Sequence, residues 1–385
     1  MSSDSTRLEF RDPVRGRELL ARLESSVERA GRRISVMHVC GSHEQALARY
    51  GLRTSLPRGL RVVMGPGCPV CVTDAPEIDQ AIELARRGLH VLTYGDMLRV
   101  PGQSLSLEDV RAEGGRVSVV YSATQAVEVA RRASEPVVFF ATGFETTAVA
   151  TAAVLDADPP ENFFVLSAHK YVPPAMQVVA STPDSRIEGF LAAGNAAIIT
   201  GYGLFESFAS QNRLPVVVAG FEPLDIVAGL VKLVELVVEG QAQVVNAYPR
   251  CVTRDGNRPA LAKLFKVFAQ RDGEWRGIAR IPGGDLRLRS EYAAWDAHER
   301  FLAGERALTR APVEEGVDQC RCGSIMSGTA EPSDCALFGQ QCKPDSPRGA
   351  CMVSSEGACR IWHQYGLGLR NERELSSLRV RESSP

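Results

Sequence analysis

The sequence predicts an α/β protein in which two similar parallel-sheet domains face a central cleft and a cysteine-rich C-terminal domain follows. Three observations support this prediction. Short apolar runs rich in β-branched residues alternate with helix-like stretches, and these runs recur at a fixed spacing. In addition, six of the ten cysteines fall between Cys320 and Cys359. Strands that alternate with helices are typical of parallel sheets, whereas a dense cysteine cluster in a reducing compartment indicates metal or redox chemistry.

The composition is that of an ordinary globular protein, with 385 residues of which 44% are apolar and 23% charged. It excludes a disordered or fibrous chain. The 44 Lys and Arg residues nearly balance the 46 Asp and Glu residues, so charge gives no reason to expect nucleic acid or a membrane surface as partner. Residues 1–22 are too charged for a secretory signal, and no apolar run reaches the roughly 18 residues of a membrane span. We therefore expect a cytoplasmic protein.

Eight short apolar runs predict the strands. Most are continuous rather than alternating, as expected for strands that are buried on both faces of a parallel sheet. An amphipathic stretch, 12–30, predicts a helix in the N-terminal segment 1–30. The predicted strands span 34–39, 60–64, 90–94, 117–121, 137–141, 162–166, 197–200 and 215–219.

The eight runs divide into two sets of four. A shift of 102 residues moves the start of the first run to the head of the fifth, and the start of the second to the sixth. The same shift places Cys40-Gly41 on Thr142-Gly143, the turns after the first and fifth runs. We infer two similar α/β domains, 31–135 and 136–250, and a C-terminal domain, 251–385. Chance similarity between short β-rich runs is the competing explanation.

The motif Cys40-Gly41-Ser42-His43-Glu44 directly follows the first predicted strand. Ligand sites form at the carboxyl edge of parallel sheets, and the start of a helix favours a thiolate. Cys40 is therefore a candidate nucleophile or metal ligand with a pKa below that of a free thiol. His43 and Glu44 are candidates to hold or activate whatever Cys40 binds. The alternative is a buried structural cysteine with Ser42 and Glu44 as helix caps.

The motif Gly65-Pro66-Gly67-Cys68-Pro69-Val70-Cys71 follows the second predicted strand. Gly65 and Gly67 permit close backbone approach, so this loop can bring both sulfurs to the sheet edge that carries Cys40. A C-x-x-C pair at a strand end suits a redox dithiol or half of a zinc site. Because this half of the chain lacks a second ligand pair at suitable spacing, a redox pair is favoured.

The turn Thr142-Gly143-Phe144-Glu145-Thr146-Thr147 is the repeat equivalent of the Cys40 turn. If it faces the cleft, its hydroxyl groups and its carboxylate are candidates to bind a ligand there. Capping of the following helix is the simpler alternative.

The C-terminal cysteines form the fourth motif. Wide spacing without paired C-x-x-C knuckles argues against a zinc ribbon and suits a [4Fe–4S] cluster held by loops. The surrounding segment is rich in Gly, Pro and Ser, so metal binding is needed to order it. The sequence thus predicts a C-terminal iron–sulfur domain, with Cys322 and Cys351 as thiols in reserve. The candidate ligands, separated by 14, 6 and 16 residues, are Cys320, Cys335, Cys342 and Cys359.

Together with five further blocks, these motifs resemble the HypD family of hydrogenase maturation proteins. The blocks occur in order over about residues 30–365, which makes the resemblance specific. The further blocks are Tyr94-Gly-Asp-Met-Leu-Arg-Val-Pro-Gly102, Pro173-Pro-Ala-Met176, Gly220-Phe-Glu-Pro-Leu-Asp225, Trp275-Arg-Gly-Ile278 and Cys351-Met-Val-Ser-Ser-Glu-Gly357.

The resemblance implies a cytosolic factor that helps to assemble the Fe(CN)2CO group of [NiFe] hydrogenases. It implies HypC as a chaperone partner, HypE as cyanide donor and, indirectly, the hydrogenase large subunit. By the family pattern, Cys40 is a ligand of the iron under construction, Cys68 and Cys71 are a redox pair, and the four C-terminal cysteines hold a [4Fe–4S] cluster. The resemblance also implies that His43, Glu44 and the 143–147 turn line the cleft.

These implications combine into a scaffold with a redox relay, in which electrons pass from the cluster through Cys68 and Cys71 to iron held at Cys40. A ferredoxin-dependent thiol–disulfide reductase, in which Cys40 is incidental, and an interaction scaffold with a structural cluster are the alternatives. One block departs from the family pattern. Gly194-Asn195-Ala196-Ala197 stands where the family has Gly-His-Val-Ser, which removes an imidazole and a hydroxyl.

Overall fold

The computed structural model describes residues 9–182, 185–304 and 320–368. The predicted segments 1–30 and 251–385 therefore lie partly outside the described residues. Within these three ranges, no helix is long and apolar enough to cross a membrane.

The chain is an α/β protein with two sheets in which parallel pairing dominates. The first sheet has the order β2-β1-β7-β8-β9 and is parallel throughout. Its strands are β1 (Ile34–His38), β2 (Leu60–Met64), β7 (Phe190–Ala193), β8 (Val216–Ala219) and β9 (Val244–Asn246).

The second sheet has the order β10-β11-β6-β5-β3-β4, with four parallel strands and an antiparallel hairpin at one edge. Its parallel strands are central to the fold because β5 and β6 are buried along their whole length. The strands are β3 (His90–Thr93), β4 (Val117–Val119), β5 (Val137–Gly143), β6 (Phe163–Lys170), β10 (Phe268–Trp275) and β11 (Ala279–Leu288).

The predicted repeat is visible in the strand order, but each half of the chain contributes to both sheets. If β1, β2, β3 and β4 exchange places with β5, β6, β7 and β8, the order β2-β1-β7-β8 of the first sheet becomes the order β6-β5-β3-β4 of the second. The boundary at residue 135 therefore does not separate the two sheets, because the chain crosses between them after β2 and again after β6. The turns after β1 and β5 are equivalent positions in different sheets.

One predicted strand is wrong. Residues 197–200 belong to the helix Gly194–Thr200, and the strand is the preceding segment Phe190–Ala193. Ala197 faces the core while Ile198 is 36% exposed, as on a helix with one buried side. A four-residue apolar run has no period that distinguishes a strand from a buried helix, and its β-branched residues misled the prediction.

Helices cover the sheets, and local signals fix where they begin. The Asp12 side chain accepts hydrogen bonds from the N–H groups of Val14 and Arg15, and Gly31 ends the same helix with φ +62°. The helices are α1 (Pro13–Ala30), α2 (Gly41–Arg49), α3 (Leu52–Ser55), α4 (Pro69–Val72), α5 (Ala75–Arg86), α6 (Leu107–Ala112), α7 (Ala123–Arg132), α8 (Glu145–Leu155), α9 (Val172–Ala180), α10 (Gly194–Thr200), α11 (Leu204–Asn212), α12 (Pro223–Glu239), α13 (Arg258–Val267), α14 (Cys322–Met326), α15 (Ala350–Val353) and α16 (Ala358–Gln364). Short 3-10 turns span Glu9–Arg11, Gly95–Arg99, Ser290–Trp295 and Pro332–Asp334, and a π turn spans His298–Leu302.

The cysteine-rich segment packs onto the loop that carries the C-x-x-C pair. Cys351 and Cys359 share one apolar cluster with Cys68 and Cys71. Helix α15 contacts α4, and α16 contacts α2. The C-terminal segment therefore lies beside both cysteine motifs of the N-terminal half.

Candidate functional site

Cys40 lies at the carboxyl end of β1, where the chain turns into α2. Its backbone is extended, with φ −155° and ψ 126°, and its side chain is 6% exposed. Because β1 is fully buried and α2 begins at Gly41, the thiol is held between a rigid strand and a helix start. This is the placement that the sequence predicted.

The C-x-x-C loop is pressed against the backbone of Cys40. The N–H of Gly41 donates a hydrogen bond of 3.0 Å to the carbonyl oxygen of Gly67. A Cβ atom at Gly67 would collide with the backbone of Val39 and Cys40, so this close approach requires glycine. The two motifs are thus in direct backbone contact at the edge of the first sheet.

Cys68 and Cys71 form a disulfide bond, with their Cα atoms 5.3 Å apart. Both residues are completely buried, and the N–H of Cys71 also donates to Cys68 Sγ at 3.1 Å. The Cα–Cα distance is within the usual range for a disulfide bond. The pair is in its oxidised form here.

The turn after β5 lies across the cleft from Cys40. Gly143 ends the strand with φ +131°, a conformation open mainly to glycine, and a Cβ there would strike the side chain of Thr147. The turn then runs into α8, whose first residue is Glu145. Thr142 and Gly143 belong to the strand and are not among the cleft-lining residues, so the predicted turn contributes only residues 144–147 to the cleft.

The turns after β1 and β5, the equivalent positions of the repeat, meet in one small cleft between the sheets. It offers about 120 Å³ to small molecules, and Cys40 is its only cysteine among the described residues. Most of the wall is apolar, and the polar groups belong to a few side chains. The lining residues are Val39, Cys40, Gly67, Pro69, Phe144, Glu145, Thr146, Thr147, Val172, Pro173, Met176, Ala193, Asn195, Ala196, Thr200, Phe205 and Glu356.

A second group of sulfurs lies in the C-terminal segment. The sulfurs of Cys322, Cys351 and Cys359 lie within 4.8 Å of one another, and Cys320 Sγ is 3.3 Å from Cys322 Sγ. A Cβ at Gly349 would come within 2.7 Å of the sulfurs of Cys320 and Cys322, so glycine leaves room for them. Converging thiols are the donors that iron–sulfur clusters and other soft metals require.

This sulfur group overlaps only partly with the predicted ligands. Of the predicted set, Cys359 belongs to the group and Cys320 lies beside it. Cys335 and Cys342 are buried in the apolar cluster that also contains Cys359. Hydrogen bonds from the thiols of Cys322 and Cys359 lower the pKa of Cys351 well below its ordinary value. The thiols held in reserve, Cys322 and Cys351, thus belong to the group that could bind a metal.

Comparison with known proteins identifies the family. A family model named HypD and described as "Hydrogenase formation hypA family" matches residues 15–366. The chain belongs to the HypD family. A "Hydrogenase maturation factor HypD" from Azotobacter vinelandii is 41% identical over 370 residues, which cover 93% of this chain and 96% of the relative. Proteins of the same name from Cupriavidus necator and Rhizobium leguminosarum are 40% identical over 371 and 387 residues, covering 93% and 97% of this chain and 96% and 98% of the relatives.

The expected low pKa of Cys40 is not found in this HypD chain. Burial raises the pKa of Cys40 to about 11, the amides of Ser42 and His43 oppose this rise, and the Glu356 carboxylate adds to it. The amides at the start of α2 therefore lower the pKa of the thiol, as predicted, but desolvation of the buried thiol raises this pKa by more. A metal that binds Cys40 must displace a proton.

His43 is not a cleft residue in this HypD chain. Its Nε2 pairs with the carbonyl oxygen of Gly220 at 3.0 Å, and its ring packs on Phe221 with centroids 4.9 Å apart. Burial, together with nearby His38, lowers the pKa of His43 to about 3. The imidazole is therefore neutral, and it packs against Gly220 and Phe221 instead of facing the cleft.

Glu44 is also behind the cleft, in a buried polar network. Its carboxylate accepts hydrogen bonds from Arg53 and from Trp362 Nε1, and it pairs with His38 Nε2 at 2.7 Å. Burial alone would raise its pKa, but the Arg53 guanidinium and His38 hold the pKa of Glu44 well below its usual range. Neither His43 nor Glu44 lines the cleft, so the expectation that they face its ligand is corrected.

Asn195, which stands where the resemblance predicts a histidine, lines the cleft. Its side-chain oxygen accepts a hydrogen bond from the N–H of Ala196 at 2.9 Å, which leaves the amide NH2 group as the donor on that wall. The difference from the expected sequence at this position therefore lies in the wall of the cleft itself.

Glu356 is an acidic cleft residue that the sequence analysis did not predict. Its Cβ and carbonyl oxygen lie against Gly41, where a side chain would not fit. It belongs to the block Cys351–Gly357, whose resemblance to the HypD family was its only signal. Asp96 fixes this block by accepting hydrogen bonds from the hydroxyls of Ser354 and Ser355.

Proposed function

We propose that this chain is a hydrogenase maturation factor that holds the iron of the Fe(CN)2CO group at Cys40 while its diatomic ligands are attached. The observation that carries the proposal is the position of Cys40 as the single cysteine in a small, largely apolar cleft. A single thiolate is a soft ligand that leaves other positions on the iron open. The names of the relatives and the family match support the general role.

The size of the cleft favours a small cargo. One water molecule needs about 10–15 Å³ of such space, so about 120 Å³ accommodates a compact complex of several atoms and excludes a dinucleotide. The apolar wall keeps water from the bound group. Both features suit iron with cyanide and carbon monoxide ligands better than a large organic substrate.

A redox path to the cleft is the second part of the proposal. Helix α15, which carries Cys351, contacts α4, which carries Cys71, and Gly67 joins the C-x-x-C loop to Cys40. Reduction of the Cys68–Cys71 disulfide takes up two electrons and two protons and yields two thiols. These electrons would come singly through the C-terminal sulfur group from a low-potential carrier.

The C-terminal thiols fit a [4Fe–4S] cluster by their chemistry. When bound, the cluster supplies one-electron transfer. We propose Cys320, Cys335, Cys342 and Cys359 as its ligands, as the spacing predicts, with Cys322 and Cys351 as the thiols nearest to Cys359. Buried Cys351 lies close to Cys359 and belongs to α15, the helix that contacts the C-x-x-C helix α4.

The proposed partners follow from the role. A HypC-type chaperone would carry the iron group, a HypE-type protein would donate cyanide, and the hydrogenase large subunit would receive the product indirectly. Ile198 and Leu204, which are 36% and 39% exposed, lie on α10 and α11 beside cleft-lining Asn195 and Phe205. Exposed apolar side chains at the edge of a site suit a protein partner. We propose that this assembly takes place in the cytoplasm.

A thiol–disulfide reductase remains the second candidate. The buried Cys68–Cys71 disulfide beside a metal-binding group of thiols is the observation that favours it. In that function an external disulfide is the substrate and Cys40 has no role. The two candidates therefore differ in whether Cys40 carries iron.

The test is anaerobic purification with a HypC-type partner, followed by iron analysis and infrared spectroscopy. We expect iron beyond the cluster, with cyanide and carbonyl bands that Cys40→Ala removes, and loss of hydrogenase maturation in the same variant. Cys251→Ala is the matched control, because Cys251 is an exposed free thiol. Bands or maturation that survive Cys40→Ala contradict the scaffold and favour the reductase.

A further inference from the structure

Glu145 is a buried carboxyl group in the wall of the cleft. It is 1% exposed, and its Oε1 accepts a hydrogen bond of 2.9 Å from the N–H of Val172. Its Oε2 is buried and has no hydrogen-bond partner among the described residues. A buried polar atom without a partner is costly, so its position in a ligand cleft points to a partner supplied by the ligand.

The protonation of this carboxyl group decides which kind of ligand it can hold. Burial raises the pKa of Glu145 to about 7, against the opposing hydrogen bonds from its own N–H and from Val172. A protonated carboxyl group offers one O–H donor, while its other oxygen continues to accept from Val172. Glu145 can thus present a hydrogen-bond donor to an acceptor atom in the cleft.

We propose that Glu145 donates a hydrogen bond from Oε2 to the nitrogen end of a metal-bound cyanide and thereby orients the cargo. This inference rests on the proposed function and adds a specific contact to it. The nitrogen of a bound cyanide carries negative charge and accepts hydrogen bonds, whereas the oxygen of bound carbon monoxide accepts them poorly. Glu145 therefore selects which diatomic ligand points towards α8.

The apolar side chains of the cleft are consistent with separate surroundings for cyanide and for carbon monoxide. Val172, Met176 and Phe205 line the cleft and offer no hydrogen-bonding side chains, so they suit carbon monoxide. Because Glu145 is the first residue of α8, its backbone position is fixed by the turn that follows β5. The donor is therefore held in place before the cargo arrives, which is how a buried polar group orients a ligand without reorganisation.

Infrared spectra of the iron-loaded protein test this contact through three variants. Glu145→Gln keeps an acceptor for Val172 and an NH2 donor for the cleft, so we expect its cyanide bands to stay close to those of the unmodified chain. Glu145→Leu removes the donor, so one cyanide band should shift and lose its response to D2O, while the carbonyl band changes less. Glu206→Gln, at a surface carboxylate paired with Arg254, should change nothing.

The outcomes separate this inference from the proposed function. Cyanide bands that disappear in Cys40→Ala but are identical in Glu145→Leu and the unmodified chain overturn the Glu145 contact and leave the scaffold intact. Bands that survive Cys40→Ala overturn the scaffold first. If Glu145→Leu does not fold, Glu145→Asp, which withdraws the carboxyl group by one methylene, gives the same comparison, and an unshifted cyanide band there also rejects the contact.

Discussion

The indole Nε1 of Trp362 donates a hydrogen bond of 2.7 Å to Glu44 Oε1, and Glu44 is completely buried. This contact joins α16, which also carries Cys359, to α2, which begins directly after Cys40. The turn that carries Cys40 and the C-terminal sulfur group are therefore joined by a hydrogen bond to a buried carboxylate. The same carboxylate also pairs with the half-buried Arg53 and with His38, so Glu44 connects three side chains to α2.

The first prediction concerns this fastening. Trp362→Phe should lower the free energy of unfolding by about 1.5–3 kcal/mol for the hydrogen bond to a charged acceptor, in addition to the smaller ring. Trp275→Phe is the control, because Trp275 is buried in the same apolar cluster as Trp362 but its Nε1 has no partner among the described residues. Urea unfolding measures both. Equal losses in the two variants would show that the Trp362 contact adds nothing beyond ring volume.

Local patterns predicted most of the strands and the positions of the cysteine motifs. Continuous apolar runs mark buried strands wherever they lie, so seven of the eight predicted runs coincide with strands. Which sheet a strand joins depends on contacts between distant segments, and no local period records it. This is why the repeat was predicted but the exchange of strands between the two sheets was not.

In the cleft, too, local sequence predicted some residues and not those that depend on long-range packing. Cys40, Glu145 and Thr147 were predicted because they follow strands directly. Glu356 arrives from the C-terminal segment, far away in sequence, and the same packing buries Cys40 and raises its pKa. Glu44 carries a polar side chain next to the cysteine motif, but helix geometry turns it away from the cleft towards Arg53 and Trp362. Side-chain direction, not proximity in sequence, separates these cases.

The second prediction concerns the C-terminal thiols. Cys359→Ala should lose the bound cluster and loosen residues 320–368, because metal binding there contributes to folding. Iron and sulfide analysis with limited proteolysis measures both effects, and Cys251→Ala should leave both unchanged. Single alanine variants of Cys320, Cys335 and Cys342 decide the remaining ligands. Full iron and sulfide content in all of these variants would contradict the cluster.

The third prediction concerns the C-x-x-C pair. Cys68 and Cys71 should convert together between disulfide and dithiol with one midpoint potential, because each reduction takes up two electrons. Since both sulfurs are buried, samples equilibrated in redox buffers are acid-quenched, denatured and then labelled for mass spectrometry. Exposed Cys251 should be labelled throughout as an internal reference. Equal labelling of the pair across the whole titration would reject the relay.

The fourth prediction follows from the raised pKa of Cys40, which burial sets at about 11. Below that pH the thiol is protonated, so each metal ion that binds there releases one proton and its affinity rises about tenfold per pH unit. Cobalt(II) titration of cluster-loaded protein, followed by thiolate-to-metal absorption between about pH 7 and pH 9, measures this slope. Cys40→Ser should abolish the absorption. An affinity that does not change with pH would mean that the thiol is already ionised.

The last prediction isolates the Glu145 carboxyl group in the metal-free chain. Burial raises its pKa from 4.5 to about 7, so its contribution to stability is fully present below pH 4.5 and is lost as the pH rises through 7. The loss amounts to about 3 kcal/mol in the free energy of unfolding. Tyr171, the other titratable group that interacts with Glu145, has a pKa raised by burial and stays neutral over this range.

Glu145→Gln cannot ionise, so urea unfolding should find it more stable than the unmodified chain at about pH 8 and close to it at about pH 4.5. Glu206→Gln, at an exposed carboxylate whose pKa is lowered by its hydrogen bond with Arg254, should not reproduce this difference. The same stability difference at both pH values would show that Glu145 is ionised in the folded chain. A buried carboxylate could then accept but not donate a hydrogen bond in the cleft, and its proposed contact with cyanide would fail with it.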